Sequence, residues 1–189
     1  MALTDLGLCS RALLRVGAAP ISAFSAGTAE AEIAAALYGP VRDALLSAYP
    51  WSFATTQATL ARLNATPVAD FPYSHQLPTD FLRALSAGAD GRGRGLSYRL
   101  AGSVLHSACA TVALTYISRP PESAFPPFFD QALIVRLAAE FCLPLTESTS
   151  RAEFLYRLAE QEYQRARLID AQQDEQPGFE DFSLIEARS

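Results

Sequence analysis

Residues 41–54, Val41-Arg42-Asp43-Ala44-Leu45-Leu46-Ser47-Ala48-Tyr49-Pro50-Trp51-Ser52-Phe53-Ala54, decide how the chain is read. Up to Pro50 the apolar residues keep helical spacing: Ile33, Leu37, Val41, Leu45 and Ala48 stand three or four apart. Pro50 lacks the amide hydrogen that a continuing helix needs, so it ends the run. Beyond it, residues 52–60 mix Phe, Thr and Gln in a strand-like way. Three large rings, Tyr49, Trp51 and Phe53, fall at the switch. They predict a hydrophobic corner that locks the helix onto a sheet. A platform for stacking bases would need a surrounding positive groove, which the sequence does not supply.

Toward the N-terminus, Thr28 caps this helix, and Glu30 and Glu32 lie at its positive end. A helix over 28–49 is expected, with a kink or break at Gly39-Pro40. A shorter helix over 4–16 precedes it. Thr4 caps it, Leu6, Cys9, Leu13 and Val16 share one face, and Gly17 stops it.

Toward the C-terminus, residues 52–120 read as an antiparallel sheet of three to five strands. Tyr73, His75 and Leu77 alternate with polar or small residues, and 111–118 (TVALTYIS) are rich in strand formers. Residues 81–86 fit a strand or a short helix, and 88–95 (GADGRGRG) read as a flexible loop. Pro120-Pro121 and Pro126-Pro127 bracket a linker. The helix beyond, over 128–143, has two apolar faces: Leu133, Leu137 and Phe141 on one, Ile134, Ala138 and Cys142 on the other. It is expected to be buried from two sides and to end at Pro144. Ser148 or Ser150 caps a last helix, over 150–172, whose inner face is Ala152, Leu155, Ala159, Tyr163, Ala166 and Ile169. The expectation is an α+β fold with one domain over 1–173: mainly a helical bundle, with a small antiparallel sheet projecting from it.

Residues 174–189 differ from the rest. Phe179, Phe182, Leu184 and Ile185 stand among acids after Pro177-Gly178. The segment is too apolar for a simple solvated tail and too short to fold alone. It suits an extended segment that docks, either on its own domain or on a neighbour.

The whole chain has 189 residues, half of them apolar, enough for one sizeable core. All 15 basic residues are arginine, against 20 acids, for a net charge of −5. The missing lysine excludes Schiff-base chemistry, pyridoxal-phosphate anchoring and a phosphate-loop lysine. The acidic balance argues against coating DNA or RNA. Cys9, Cys109 and Cys142 are too far apart in sequence for a metal motif, and an odd number makes a poor disulfide framework. Cys9 and Cys142 read as core residues. The N-terminus has no signal-peptide pattern, and no apolar run approaches the roughly 20 residues that span a bilayer.

The sequence carries no catalytic constellation, no cofactor motif and no metal motif. His75 and His106 lack ligand-spaced partners and read as packed or surface residues. No nucleophile elbow and no dinucleotide-binding glycine pattern is present. Arg92 and Arg94 lie on the glycine loop, where they fit solvated arginines better than a phosphate site. The carboxylates fall in loops without a facing pair.

Several stretches, in order, resemble the head-to-tail adaptor proteins of tailed phages, the tail tubular protein A group of short-tailed phages and prophages. They are Leu8-Cys9-Ser10-Arg11-Ala12-Leu13 with Val16-Gly17; Tyr38-Gly39-Pro40-Val41-Arg42-Asp43-Ala44-Leu45-Leu46; Tyr49-Pro50-Trp51-Ser52-Phe53-Ala54; and Leu77-Pro78 with Asp80-Phe81-Leu82-Arg83. Leu114, Tyr116 and Arg119, the helix from Pro127 to Leu145, and Ile185-Glu186-Ala187-Arg188 complete them. The likeness spans nearly the whole chain and is most specific over 41–54. It departs near Leu184-Ile185, where related chains often carry tryptophan.

The resemblance implies a non-enzymatic structural part of the virion, assembled in the host cytoplasm. Such a protein forms a ring of twelve beneath the portal protein, extends the DNA channel, and offers a platform to the tail nozzle or tail tube. It implies no cofactor, no membrane contact and no specific DNA binding. The family's C-terminal segment reaches the portal, which carries over to Phe179, Phe182, Leu184, Ile185 and Arg188. An acidic protein suits a channel through which DNA slides. Two other classes compete: a tail-associated cell-wall hydrolase, which needs a carboxylate pair, and a DNA-binding regulator, which needs a basic recognition helix. In the last helix Arg165 and Arg167 share their surface with Glu160 and Glu162.

Overall fold

The structure is a computed structural model that describes residues 3–173. The tail 174–189, with Phe179, Phe182, Leu184, Ile185 and Arg188, lies outside the described residues, and so does its expected extended form. The described part is α+β, with four α-helices and two small antiparallel sheets.

Helix α1 runs Asp5–Val16. The Thr4 hydroxyl accepts the Gly7 N–H at 3.1 Å, and Gly17 ends the helix in the left-handed conformation, φ 78°. Helix α2 runs Ala29–Ala48, and Thr28 accepts the Ala31 N–H. It continues through Pro40 instead of breaking there. Ala36 and Pro40 are both exposed, so solvent serves the carbonyl that Pro40 leaves unpaired.

Helix α3 runs Pro127–Thr146, past the expected stop at Pro144. The Thr146 hydroxyl donates to the Cys142 carbonyl at 2.7 Å, and the Glu147 N–H closes onto Leu143. Pro144 therefore removes a bond only in a last turn that has other closures. Both apolar faces of α3 are buried, Leu133, Leu137 and Phe141 with Ile134, Ala138 and Cys142. Helices α1, α2 and α4 all pack on α3. Helix α4, Thr149–Ala171, starts at Ser148, whose hydroxyl accepts the Arg151 N–H.

Seven strands form two sheets where one sheet was expected. After a 3-10 turn at Ser52–Ala54, β1 is Thr55–Thr59 and β2 is Ala61–Leu63. Strand β3 is Tyr73–Gln76 and β4 is Phe81–Gly88, which settles the ambiguous 81–86 as strand. Strands β5, β6 and β7 are Tyr98–Ala101, Val104–Ser107 and Ala113–Ser118. The first sheet has the order β1-β7-β4 and the second β2-β3-β6-β5, antiparallel throughout.

The period of two in β7 explains the division into two cores. Leu114 and Tyr116 point to a small core with Leu60, Leu77, Ala87, Leu105 and Val112. Ile117 points the other way, into the helical core with Trp51, Phe129 and Leu133. One strand thus serves both cores.

Candidate functional site

The corner at 49–54 is the best-built part of the molecule. Trp51 is fully buried, with Tyr49, Phe53, Phe128, Phe129 and Tyr163 at ring separations of 5.0 to 6.4 Å. Its indole N–H donates to the Leu45 carbonyl at 3.0 Å, so the ring sits in the apolar core with its polar atom satisfied. A ring buried this way cannot stack on a base, and the corner is packing, as its apolar sequence implies.

Beside the rings, Asp170 is 2 % exposed and accepts from Ser52 twice: the backbone N–H at 3.0 Å and the hydroxyl at 2.7 Å. The apolar period assigns the last inward position of α4 to Ile169, yet Ile169 is 36 % exposed. Asp170 takes that place because the 3-10 turn at Ser52 presents donors there. A lone aspartate at the end of a helix carries no periodic signal, so only the tertiary partner identifies it.

A polar clasp joins α2 to the segment after β7. Arg119 grips Asp43 with two nitrogens, at 3.0 and 2.6 Å. Arg42 reaches Asp43 at 2.9 Å and Glu122 at 3.1 Å, and the Tyr38 hydroxyl donates to Glu122 at 2.9 Å. Burial alone would raise the pKa of Asp43, but hydrogen bonds from Arg119 and Arg42 reverse this and hold it below the ordinary value. Glu122 is lowered in the same way, against burial, by its backbone, Tyr38 and Arg42. Burial and the bond to Glu122 raise Tyr38. Both acids are therefore held ionised and the phenol protonated, which suits a brace and not proton transfer.

Asp130 behaves differently. Burial pushes its carboxyl up to about 6, against the charge of Arg11, and one of its oxygens has no partner among the described residues. It lines neither of the two helical grooves described below. Burial also pushes the Cys9 thiol up to about 12, with Asp5 adding to the shift, which makes it an inert core group.

The glycine loop 89–95 is tethered, where a flexible loop was expected. Ser86 and Thr115 both donate hydroxyls to the Gly93 carbonyl, at 2.8 and 3.3 Å. A Cβ on Gly88 would overlap the Arg92 carbonyl. Arg92 and Arg94 are exposed at the tip. His75 is fully buried, 3.2 Å from the Ala110 carbonyl, and His106 is half-buried on β6.

Two grooves open on the helical side. One, about 420 Å³, lies between α2, with Val41 and Leu45, and Tyr163 of α4. The other, about 430 Å³, lies between the start of α3 and the end of α4. Among the described residues no group of three His, Cys, Asp or Glu gathers as a metal site, and no helix is long and apolar enough to cross a membrane. No protein-family model matches the chain, and no curated protein is significantly similar to it.

Proposed function

We propose that the chain is a structural head-to-tail adaptor of a tailed phage, a ring-forming part that joins the portal protein to the tail nozzle or tail tube. The observation that carries this reading is convergence. Several of the segments that bear the family resemblance are scattered in sequence but, among the described residues, meet at one corner. Tyr38, Arg42 and Asp43 join Arg119 through the clasp, Trp51 packs on Phe129, and Asp80 takes the Arg119 N–H at 2.8 Å. A resemblance whose residues brace one another is a resemblance of scaffold. The docking work then falls to surfaces and to the tail, with Phe179, Phe182, Leu184, Ile185 and Arg188 as the portal contacts.

Charge supports a refined version. Five of the 20 acids but only one of the 15 arginines lie in 174–189, so −4 of the net −5 belongs to the tail. The body is nearly neutral, and residues 55–118 hold five arginines against three aspartates. Acidic channel walls are thus a poor argument for the role, and an acidic, apolar tail that seeks a basic partner surface is a better one.

The test is to mix the purified protein with the portal encoded in the same genome, with and without residues 174–189, and to image the particles. A ring under the portal from the full chain, lost on truncation, is the expected result. No binding by the full chain overturns the reading.

A further inference from the structure

The groove between α3 and α4 is floored by Pro127, Phe128, Ala166 and Ile169, with Gln131, Glu162 and Arg165 also in its lining. Its apolar character extends outward, since Ile169 is 36 % and Leu168 67 % exposed. The described chain stops at Gln173, four positions after Ile169, and 16 residues follow. We propose that in the free chain Phe179, Phe182 and Ile185 dock back into this groove, so that the protein covers its own α3–α4 seam with its C-terminal segment. The proposal rests on the groove and the segment alone and does not need the adaptor role.

Reach allows it. Phe179 lies six residues past Gln173, a span of about 20 Å when extended. The groove residues of α4, 162–169, lie roughly 6 to 16 Å back along the helix from Gln173. Pro177-Gly178 falls where the chain must reverse, and this pair is a strong turn signal. So short a connection also sets an effective concentration in the millimolar range, so even a weak groove fills.

Chemistry selects this groove over its neighbour. The segment carries four large apolar side chains among five acids. The groove beside α2 is edged by Glu140 and Glu160, and its one arginine, Arg136, is already paired with Glu140 at 2.8 Å. It would repel an acidic segment. The α3–α4 groove carries one acid, Glu162, and one arginine, Arg165, which has no ion-pair partner among the described residues, so it is neutral where its neighbour is net acidic. A partner that recruits the tail must first lift it from this seat, so docking delays binding until that partner arrives.

The full-length chain tests this by disulfide trapping. Cys109 is replaced by serine, and one cysteine pair is introduced at a time: Gln131→Cys with Ser183→Cys, or Ala44→Cys with Ser183→Cys. Light scattering and mass spectrometry then identify links within monomers. The expected result is an intrachain link at least about tenfold faster for the Gln131 pair, and slowed about tenfold by Phe179→Ser with Phe182→Ser. Equal rates for the two pairs overturn the proposal, as do links found only between chains or links indifferent to the two serines. As a second readout, hydrogen exchange at 127–131 and 162–169 should quicken when 174–189 is removed. No change there overturns the proposal as well.

Discussion

Ser52 gives both its backbone N–H and its hydroxyl to the carboxylate of Asp170, 118 residues later, at 3.0 and 2.7 Å. This one carboxylate pins the end of α4 to the turn that follows α2. It is the tightest tie between the last helix and the corner where helix gives way to sheet.

Asp170→Ala should therefore destabilise the whole fold. It removes two hydrogen bonds to a charged acceptor and leaves a Ser52 N–H without its partner. Such bonds contribute about 1.5–3 kcal/mol, and the orphaned donor adds to the loss. For a chain of this size each kcal/mol is roughly 2–4 °C, so losing both bonds lowers the melting temperature by about 6 °C or more. Asp170→Asn retains an acceptor oxygen and should lose about half as much. Calorimetry of both variants checks it, and equal melting of Asp170→Ala and the parent would refute the tie.

Asp130 sets a pH limit of opposite sign to most carboxylates. Burial raises its folded pKa to about 6, above the ordinary value of 3.8. The folded state thus binds the proton more tightly than the unfolded one. Its contribution is fully present below about pH 4 and is lost as pH rises through about 6. Asp130→Asn, which needs no proton, should raise the urea midpoint at pH 7.5 and leave it nearly unchanged at pH 4. The helix N-terminus and Arg11 favour the charged form and trim this gain without reversing it. A variant less stable than the parent at pH 7.5 would contradict the burial argument.

Asp43 follows the usual rule. Its folded pKa is held below the ordinary value by Arg119 and Arg42 against the pull of burial. The stability it supplies is present above about pH 4 and disappears as pH falls through the lowered folded value. Arg119→Met should cost about 1 kcal/mol at neutral pH, because the pair is part-exposed and screened. It should also flatten the loss of stability below pH 4. A double-mutant cycle with Asp43→Asn isolates the coupling, and strict additivity at pH 7 would show that the clasp contributes nothing.

What was legible in the sequence and what was not divides along one physical line. Caps and periods were readable because they act between residues a few positions apart. Thr4, Thr28 and Ser148 cap helices, and the two faces of α3 are both buried. The division of seven strands into two sheets was not readable, because β7 serves two cores and its mixed pattern resembles any buried strand. Pro144 misled as a stop, and Pro40 does not break α2, because a proline on an exposed face or in a last turn costs less than one in a packed helix interior, which is a tertiary fact. Of the site, Arg42, Asp43 and Trp51 stood out only through their motif. Asp170 and Glu122 gave no signal, since their partners lie 118 and 80 or more positions away.

The glycine loop offers the sharpest local test, because its composition suggests mobility and its contacts oppose it. Gly88 ends β4 with the Arg92 carbonyl packed where a side chain would begin, and Gly93 sits 2.6 Å, at an ideal Cβ, from the Gln57 amide nitrogen. Glycine is needed at 88 for close approach to backbone, not for turning, whereas at 93 the end of the flexible Gln57 side chain can move aside. Gly88→Ala must push the Arg92 backbone away and with it the two hydroxyl bonds to Gly93. The chain has no lysine, so trypsin cuts only after arginine, and Arg92 and Arg94 are exposed at the tip. Cleavage there should quicken about tenfold in Gly88→Ala through local opening, while cleavage in α4 stays at the parental rate. Ser86→Ala, which removes one tether without a clash, should show a smaller rise. Unchanged cleavage in Gly88→Ala would mean the loop is mobile in the parent and its tethers are incidental.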